Sequence, residues 1–274
     1  MFAGVRTGLC ALGIAAMVAV TARAAPDPDV AWFFDESGGD AVPDAIGAVD
    51  GVVNGASDWA PGLAGNALRF DGETVIEFPD SNLINTVGPF QKRTILATFN
   101  VDDADADTEK QTIFDEGGRT RGLVLYVFDG DVWVGGWNRA EYNWNGEWIS
   151  APIESNTWYQ VGLVIRDATG AVEDDKFEMW LNGTLVETRS GGQLHAHGDD
   201  TGVGAVNQNA VFHDETGSGD NIDFFTGLID EIQLWNASLS PADIEATAKG
   251  FLAVDVQNKL VTRWASIKVS HAVR

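Results

Sequence analysis

In the stretch Phe225–Ile244, FTGLIDEIQLWNASLSPADI, one carboxylate stands where an alternating strand calls for a core residue. Side chains along a strand alternate with period two, which puts Leu228, Asp230, Ile232 and Leu234 on one face and Ile229, Glu231, Gln233 and Trp235 on the other. An ionised group buried without partners costs several kcal/mol or more, so Asp230 calls for hydrogen bonds, a basic partner or a metal. No Lys or Arg stands between Arg189 and Lys249, which disfavours a basic partner nearby in sequence. The plainer alternative is an Asp that caps a turn at a strand end. Downstream, Ser240-Pro241-Ala242-Asp243 predicts a helix, with Ser240 as N-cap, Pro241 at the first helical position and Asp243 at the positive end. That helix should end near Gly250.

Working upstream, short apolar runs alternate with Gly, Asp and Asn. They predict strands at 30–34, 67–70, 74–78, 94–101, 111–115, 122–128, 132–137, 158–166, 177–181, 184–188 and 228–235. Asp129-Gly130 and Asn182-Gly183 each join two such runs as tight hairpin turns. Regular strand spacing without long helical periodicity indicates an all-β sandwich.

The first residues read differently. Arg6, the apolar segment Gly8–Val20 and the small residues around Arg23 predict a secretory signal peptide over 1–24, too short in its apolar part to span a bilayer. Cys10, the single cysteine, lies near the start of that segment and reads as part of it. The remaining chain has no cysteine, so its stability must come from a large core or a bound metal, although secretion would permit disulfides. The expected organisation is a signal peptide (1–24), one domain (25–250) and a basic tail (251–274) carrying Lys259, Arg263, Lys268 and Arg274.

With 17 basic and 41 acidic residues, the formal charge is −24. Binding to nucleic acid or anionic lipid requires basic patches, so both are excluded as expected partners, as is membrane insertion. Divalent cations are compatible with this charge, and most of the acids read as a solvated surface.

The chain resembles the laminin G-like, or concanavalin A-like, jelly-roll domains of secreted bacterial proteins. The closing GLIDEIQLWNASLSPADI carries the resemblance, together with AWFFDES from Ala31, PGLAGNALRFDG from Pro61, and WYQVGLVIRD to WLNGTLV between Trp158 and Val186. It implies a two-sheet antiparallel jelly roll over roughly 30–250, and in many members a structural calcium. Transferred to this chain, the ligands would be Asp35 or Glu36, the Asp71-Gly72 turn and Asp230, oxygen donors of the kind calcium takes.

Laminarinase-type glycoside hydrolases share that fold and carry a Glu-x-Asp-x-x-Glu strand, whose spacing Glu173, Asp175 and Glu178 reproduce. Asp174 and Lys176 fill positions that the hydrolases keep apolar, so the match reads as coincidental. Asp102–Asp107 lacks the Gly and Glu of a helix-loop-helix calcium loop and reads as solvated. Between Trp133 and Trp148, aromatic residues stand among Gly, Asn and Glu, a combination that suits sugar rings, which have an apolar face and a hydroxyl edge. Trp133 and Trp137 are expected in the core, whereas Trp144 and Trp148, with Asn143 and Asn145, are the contact candidates. A second candidate edge holds His195, His197, Asp199, Asp200, His213 and Asp214, which could orient a polyhydroxylated ligand or bind a transition metal. The expected function is a secreted, calcium-stabilised, non-catalytic module for carbohydrate or a surface polymer. The alternatives are a glycan hydrolase or lyase, and an adhesion module whose basic tail docks to a protein.

Overall fold

The closing strand lies inside the first of two antiparallel sheets. A computed structural model describes residues 25–252 apart from 48, 199 and 200. The expected signal peptide with Cys10, the acids Asp199 and Asp200, and the tail beyond Leu252 lie outside the described residues.

In chain order the early strands are β1 (Val30–Trp32), β2 (Ala41–Val42), β3 (Gly51–Asn54), β4 (Asp58–Pro61), β5 (Asn66–Asp71), β6 (Val75–Phe78), β7 (Arg93–Val101) and β8 (Gln111–Gly117). They are followed by β9 (Arg121–Phe128), β10 (Asp131–Asn138), β11 (Trp144–Pro152), β12 (Trp158–Ile165), β13 (Glu173–Leu181), β14 (Thr184–Gly191), β15 (Thr201–Val203) and β16 (Thr226–Trp235). Helix α1 (Pro241–Leu252) ends the described chain. The first sheet runs β14-β13-β12-β7-β16-β5-β4, with β1 also on β16, and the second runs β11-β10-β9-β8-β15-β6-β3-β2. This is the expected jelly-roll sandwich. Each predicted strand forms; β2, β3, β4, β11 and β15 are additional.

The core lies between the sheets and includes Trp32, Phe70, Phe99, Phe114, Leu125 and Ile232, all fully buried. The face assignment of β16 needs correction at one residue. Opposite β7, Ile229 pairs with Phe99 and Glu231 with Thr98, so Asp230 is the extra residue of a β-bulge. A bulge resets the alternation: Ile229, not Leu228, joins Ile232 and Leu234 in the core. At the same point β16 changes its other neighbour, pairing with β5 through Ile229 and with β1 from Ile232 onward.

Both predicted hairpin turns hold the left-handed backbone that their residue types tolerate, with φ of 50° and 81° at Asp129-Gly130 and 50° and 76° at Asn182-Gly183. The helix starts as predicted. Ser240 Oγ accepts a hydrogen bond from the Asp243 amide at 3.2 Å and donates to Asp243 Oδ2 at 2.6 Å. The helix packs on the outer face of the first sheet, where Ile244 joins a second apolar cluster with Leu96, Val164, Trp180 and Trp235.

One ion pair ties the two sheets together. Arg93 of β7 reaches Glu116 of β8 with Nη1 at 2.6 and 2.7 Å from the two carboxylate oxygens, both side chains being fully buried. Arg93 Nη2 also donates to Asn236 Oδ1 at 2.8 Å, and the guanidinium carbon lies 3.8 Å from the Phe90 ring centre. Removing one member of such a pair leaves an uncompensated buried charge, whereas replacing both with apolar groups is close to neutral. Glu116→Gln should therefore lower the unfolding free energy by about 3–5 kcal/mol in urea titrations, and the double change Arg93→Met/Glu116→Leu should recover most of it. Equal losses in the single and double variants would show that the pair is not what holds this part of the sandwich.

Candidate functional site

The outer face of the second sheet is the surface most elaborately built. Reading straight across the ladder, Val52, Glu77, Gly202, Asp115, Val124, Gly135 and Trp148 are register partners and share this face. Two of them are glycines because something crosses closely above. A Cβ at Gly135 would fall 2.5 Å from the Trp148 ring, and one at Gly202 would fall 2.9 Å from the Ala205 carbonyl and from Asn207 Cβ. Neighbouring Gly136 points to the other side and makes the same room for Trp144, whose ring would be 2.7 Å away. The pair Gly135-Gly136 thus admits one tryptophan of β11 on each face of the sheet.

Above the row runs a strap, residues 204–222, which connects β15 toward β16. It buries Val206, Ala210, Val211 and Phe212 against Val124, Tyr126 and Trp137 as a separate apolar cluster. Polar contacts fasten it. Trp148 Nε1 donates to the Val211 carbonyl at 3.1 Å, and Arg119 donates to the carbonyls of Ala210, Glu215 and Thr216 at 3.1 Å each. Lys110, nearly buried, reaches Asp214 Oδ2 at 2.5 Å and Thr216 at 3.1 Å. Burial works to raise the Asp214 pKa, but the bonds from Lys110 and Thr216 together outweigh it and bring it down to about 2.

At the tip of the strap His213 stacks on Trp133, with ring centres 4.2 Å apart and planes 13° from parallel. Its Nδ1 lies 2.9 Å from Tyr126 Oη, and its backbone N–H donates to the same oxygen at 3.3 Å. Burial pushes the Tyr126 phenol pKa well up, so the hydroxyl keeps its proton and donates it to Nδ1. Burial chiefly, with Lys110 nearby and against the pull of Asp214, lowers the His213 pKa, which favours the neutral ring.

The other end of the face is uncovered. There Asp50, Val52, Glu77, Phe78, Pro79 and the strap residue Asn207 line an open cleft of about 400 Å³. Val52 is 54% exposed at its floor.

The residues expected at a site are scattered. Trp144 is not a surface contact: it is 2% exposed and packs edge-on against Phe177 at 5.5 Å. Trp148 is half-buried beneath the strap, while Asn143 and Asn145 are exposed. Trp137 is core, as expected, but Trp133 is half-buried on the outer face. His195 and His197 diverge. The His195 ring lies 6.4 Å from that of Tyr142, whereas His197 is buried with Nε2 3.4 Å from Glu116 Oε1. Glu178 is neutralised by Arg166 and accepts a hydrogen bond from Trp180 Nε1 at 2.8 Å, and Glu173, at an exposed site, accepts one from Thr169. That geometry gives Glu178 a structural role. Asp102 pairs with Arg69.

Of the four expected calcium ligands, Asp35, Glu36 and Asp230 converge on the turn between β4 and β5, and Asp71 does not. Asp230 Oδ2 accepts from the Ala64 amide at 2.9 Å, and Asp35 Oδ1 accepts from the Asn66 amide at 3.0 Å. Asn66 Nδ2 donates to the Glu36 carbonyl at 3.0 Å. A Cβ at Gly62 would fall 2.7 Å from both Asp230 Oδ2 and the Asn66 carbonyl, so two oxygens face one small gap. Asp71 lies at the far end of β5, where it caps a turn by accepting from Glu73 and Thr74; the Thr74 hydroxyl is the main reason its pKa is low, opposed by partial burial. Among the described residues, no three His, Cys, Asp or Glu side chains gather as a metal-holding group. Oxygen donors of the right kind are present at this turn, in a smaller set than the four acids expected.

Tyr126, Lys110, Arg119, Asp115 and Asn207 escape a sequence reading because each acts across a long loop. The spacing Gly135-Gly136 before Trp144 and Trp148 is the one local signal that large rings must lie close over β10.

Comparison with solved structures returns sandwiches of the same fold. Domain 4 of AbnA, a GH43 extracellular arabinanase from Geobacillus stearothermophilus in complex with arabinotriose, is 15% identical with a TM-score of 0.56, covering 82% of this chain and all of that one. The binding domain of Paraclostridial Mosquitocidal Protein 1 is 14% identical with a TM-score of 0.61, and that of Botulinum Neurotoxin DC in complex with SialylT is 11% identical with a TM-score of 0.58. The match takes in 82% of this chain and about half, 52%, of each toxin domain. Comparison with curated protein sequences finds no match. A family pattern, that of the concanavalin A-like lectin/glucanases superfamily, matches residues 70–245. Its span covers well over half of the sequence and includes β7 to β16, so the chain belongs to the concanavalin A-like lectin/glucanase superfamily.

Proposed function

We propose that this protein is a secreted, non-catalytic module that binds carbohydrate or a surface polymer. The open cleft at the Val52 end carries the reading: it sets apolar Val52 and Pro79 beside the carboxylates of Asp50 and Glu77 and the amide of Asn207. A sugar offers an apolar C–H face and hydroxyls that donate and accept, and this lining answers both. The arabinotriose and SialylT complexes of fold relatives support the class of ligand, and the expected signal peptide supports export. Among the described residues no helix is long and apolar enough to cross a membrane. On a glycan array the protein should bind at least one family of oligosaccharides without turnover. Glu77→Ala or Asn207→Ala should weaken that binding about tenfold, the scale of one or two lost hydrogen bonds. Silence across the array, or release of reducing ends from a bound glycan, would sink this reading.

Calcium belongs to the same proposal. Asp230, Asp35 and the Asn66 carbonyl would hold it, and bound there it would tie the first strand, the β4–β5 turn and the closing strand together. A cation that binds the native state alone stabilises it by about 2.7 kcal/mol at a hundred times its Kd. Adding calcium to chelator-stripped protein should therefore raise Tm by several degrees, and Asp230→Asn should abolish the rise. An unchanged Tm in the wild type removes calcium and leaves the hydrogen-bonded clamp.

A further inference from the structure

We propose that the indole face of Trp133 now covered by His213 is a second subsite for a sugar ring, and that the imidazole swings aside to admit it. The inference rests on the carbohydrate reading above and extends it to the opposite end of the same face. A flat ring lying 4.2 Å from the indole and 13° from parallel holds the position that a sugar ring takes when its C–H face meets an aromatic face. His213 is thus an occupant supplied by the chain itself.

The energies favour a movement of the side chain alone. Aromatic stacking contributes about 0.5–1.5 kcal/mol beyond area burial, and the Tyr126–His213 hydrogen bond about as much. Lifting the strap would instead expose Val206, Val211 and Phe212, all fully buried, at about 1.5–3 kcal/mol each. Arg119 would also lose its three carbonyl partners. The strap is therefore a fixed frame, and the imidazole is its loose part.

Polar groups for the hydroxyl edge stand around the indole. Ser150 lies directly opposite Trp133 on β11 and donates to Asp131 Oδ2 at 2.8 Å. On the other side Asp214 follows His213 in the strap and pairs with Lys110, whose ammonium sits 4.7 Å from the Phe128 ring centre. Phe128 in turn lies 5.6 Å from His213, so the aromatic surface continues past the indole. An apolar face with carboxylate, hydroxyl and ammonium at its rim fits a neutral or amino sugar.

The test titrates cellohexaose, laminarihexaose, chitohexaose and an arabinan hexasaccharide into wild type, His213→Ala, Trp133→Ala and Glu77→Ala by calorimetry, with tryptophan fluorescence recorded in parallel. His213→Ala removes the cap without touching the buried strap residues, so the fold should hold. That variant should bind the preferred hexasaccharide three- to tenfold more tightly than wild type and show a larger fluorescence change. Trp133→Ala should bind it at least tenfold more weakly. If Glu77→Ala loses binding while His213→Ala and Trp133→Ala match wild type, the module stands and the Trp133 subsite falls. If none of the four sugars binds any of the four proteins, the subsite falls together with the reading it rests on.

Discussion

A buried carboxylate organises the first sheet. Asp230 is fully buried in the closing strand and interrupts its pairing with β7 as the extra residue of a bulge. Such a group is tolerable inside a protein when its oxygens are hydrogen-bonded, and the Ala64 amide meets that need from the turn between β4 and β5. Asp35 grips the same turn from the end of β1 through the Asn66 amide. Two acids far apart in sequence thus hold one turn from both sides. The bulge between them is where β16 passes from β5 to β1, so the sheet can keep both neighbours on one edge of a single strand.

The second sheet solves a different problem. Its outer face carries too many apolar side chains to meet water, and the strap covers them at the β8–β11 end, where Phe212 and Val211 pack on Tyr126 and Val124. Close coverage needs flat ground, and glycine supplies it at Gly135 and Gly202, where any Cβ would clash. Because the strap stops at Asn207 on one side and at His213 on the other, the face keeps an open cleft at one end and an aromatic step at the other. The buried Arg93–Glu116 pair links the two sheets beneath this surface, with His197 beside it. A histidine that looks like a ligand in a loop is there a neighbour of an interior ion pair.

Much of the fold was legible because local chemistry and tertiary structure agreed. Asp129-Gly130 and Asn182-Gly183 turn as their residue types require, and Ser240 caps the helix through Asp243. The strands that escaped were short, such as β2 and β15, or began in residues that read as loop, such as β11 with Asn145 and Gly146 after Trp144. The candidate site was far less legible. Trp133 and Trp144 share a composition and a neighbourhood in sequence, yet Trp144 enters the core beside Gly136 and Trp133 meets His213 on the outer face. Alternation alone cannot say which face of a sheet a loop will later cover.

The sequence by itself determined the class of fold, the turns, the helix and the special standing of Asp230, because periodicity, turn residues and the cost of a buried charge are local properties. The tertiary structure decided which acids meet. Asp35 and Asp230 reach one turn while Asp71 caps another, and Glu178, whose spacing mimics a catalytic strand, is locked to Arg166. It also decided that His213 should lie on Trp133, a contact spanning β11 to β15 and half of the strap. Such contacts depend on strand order and register across a whole sheet, and no stretch of adjacent residues carries that information.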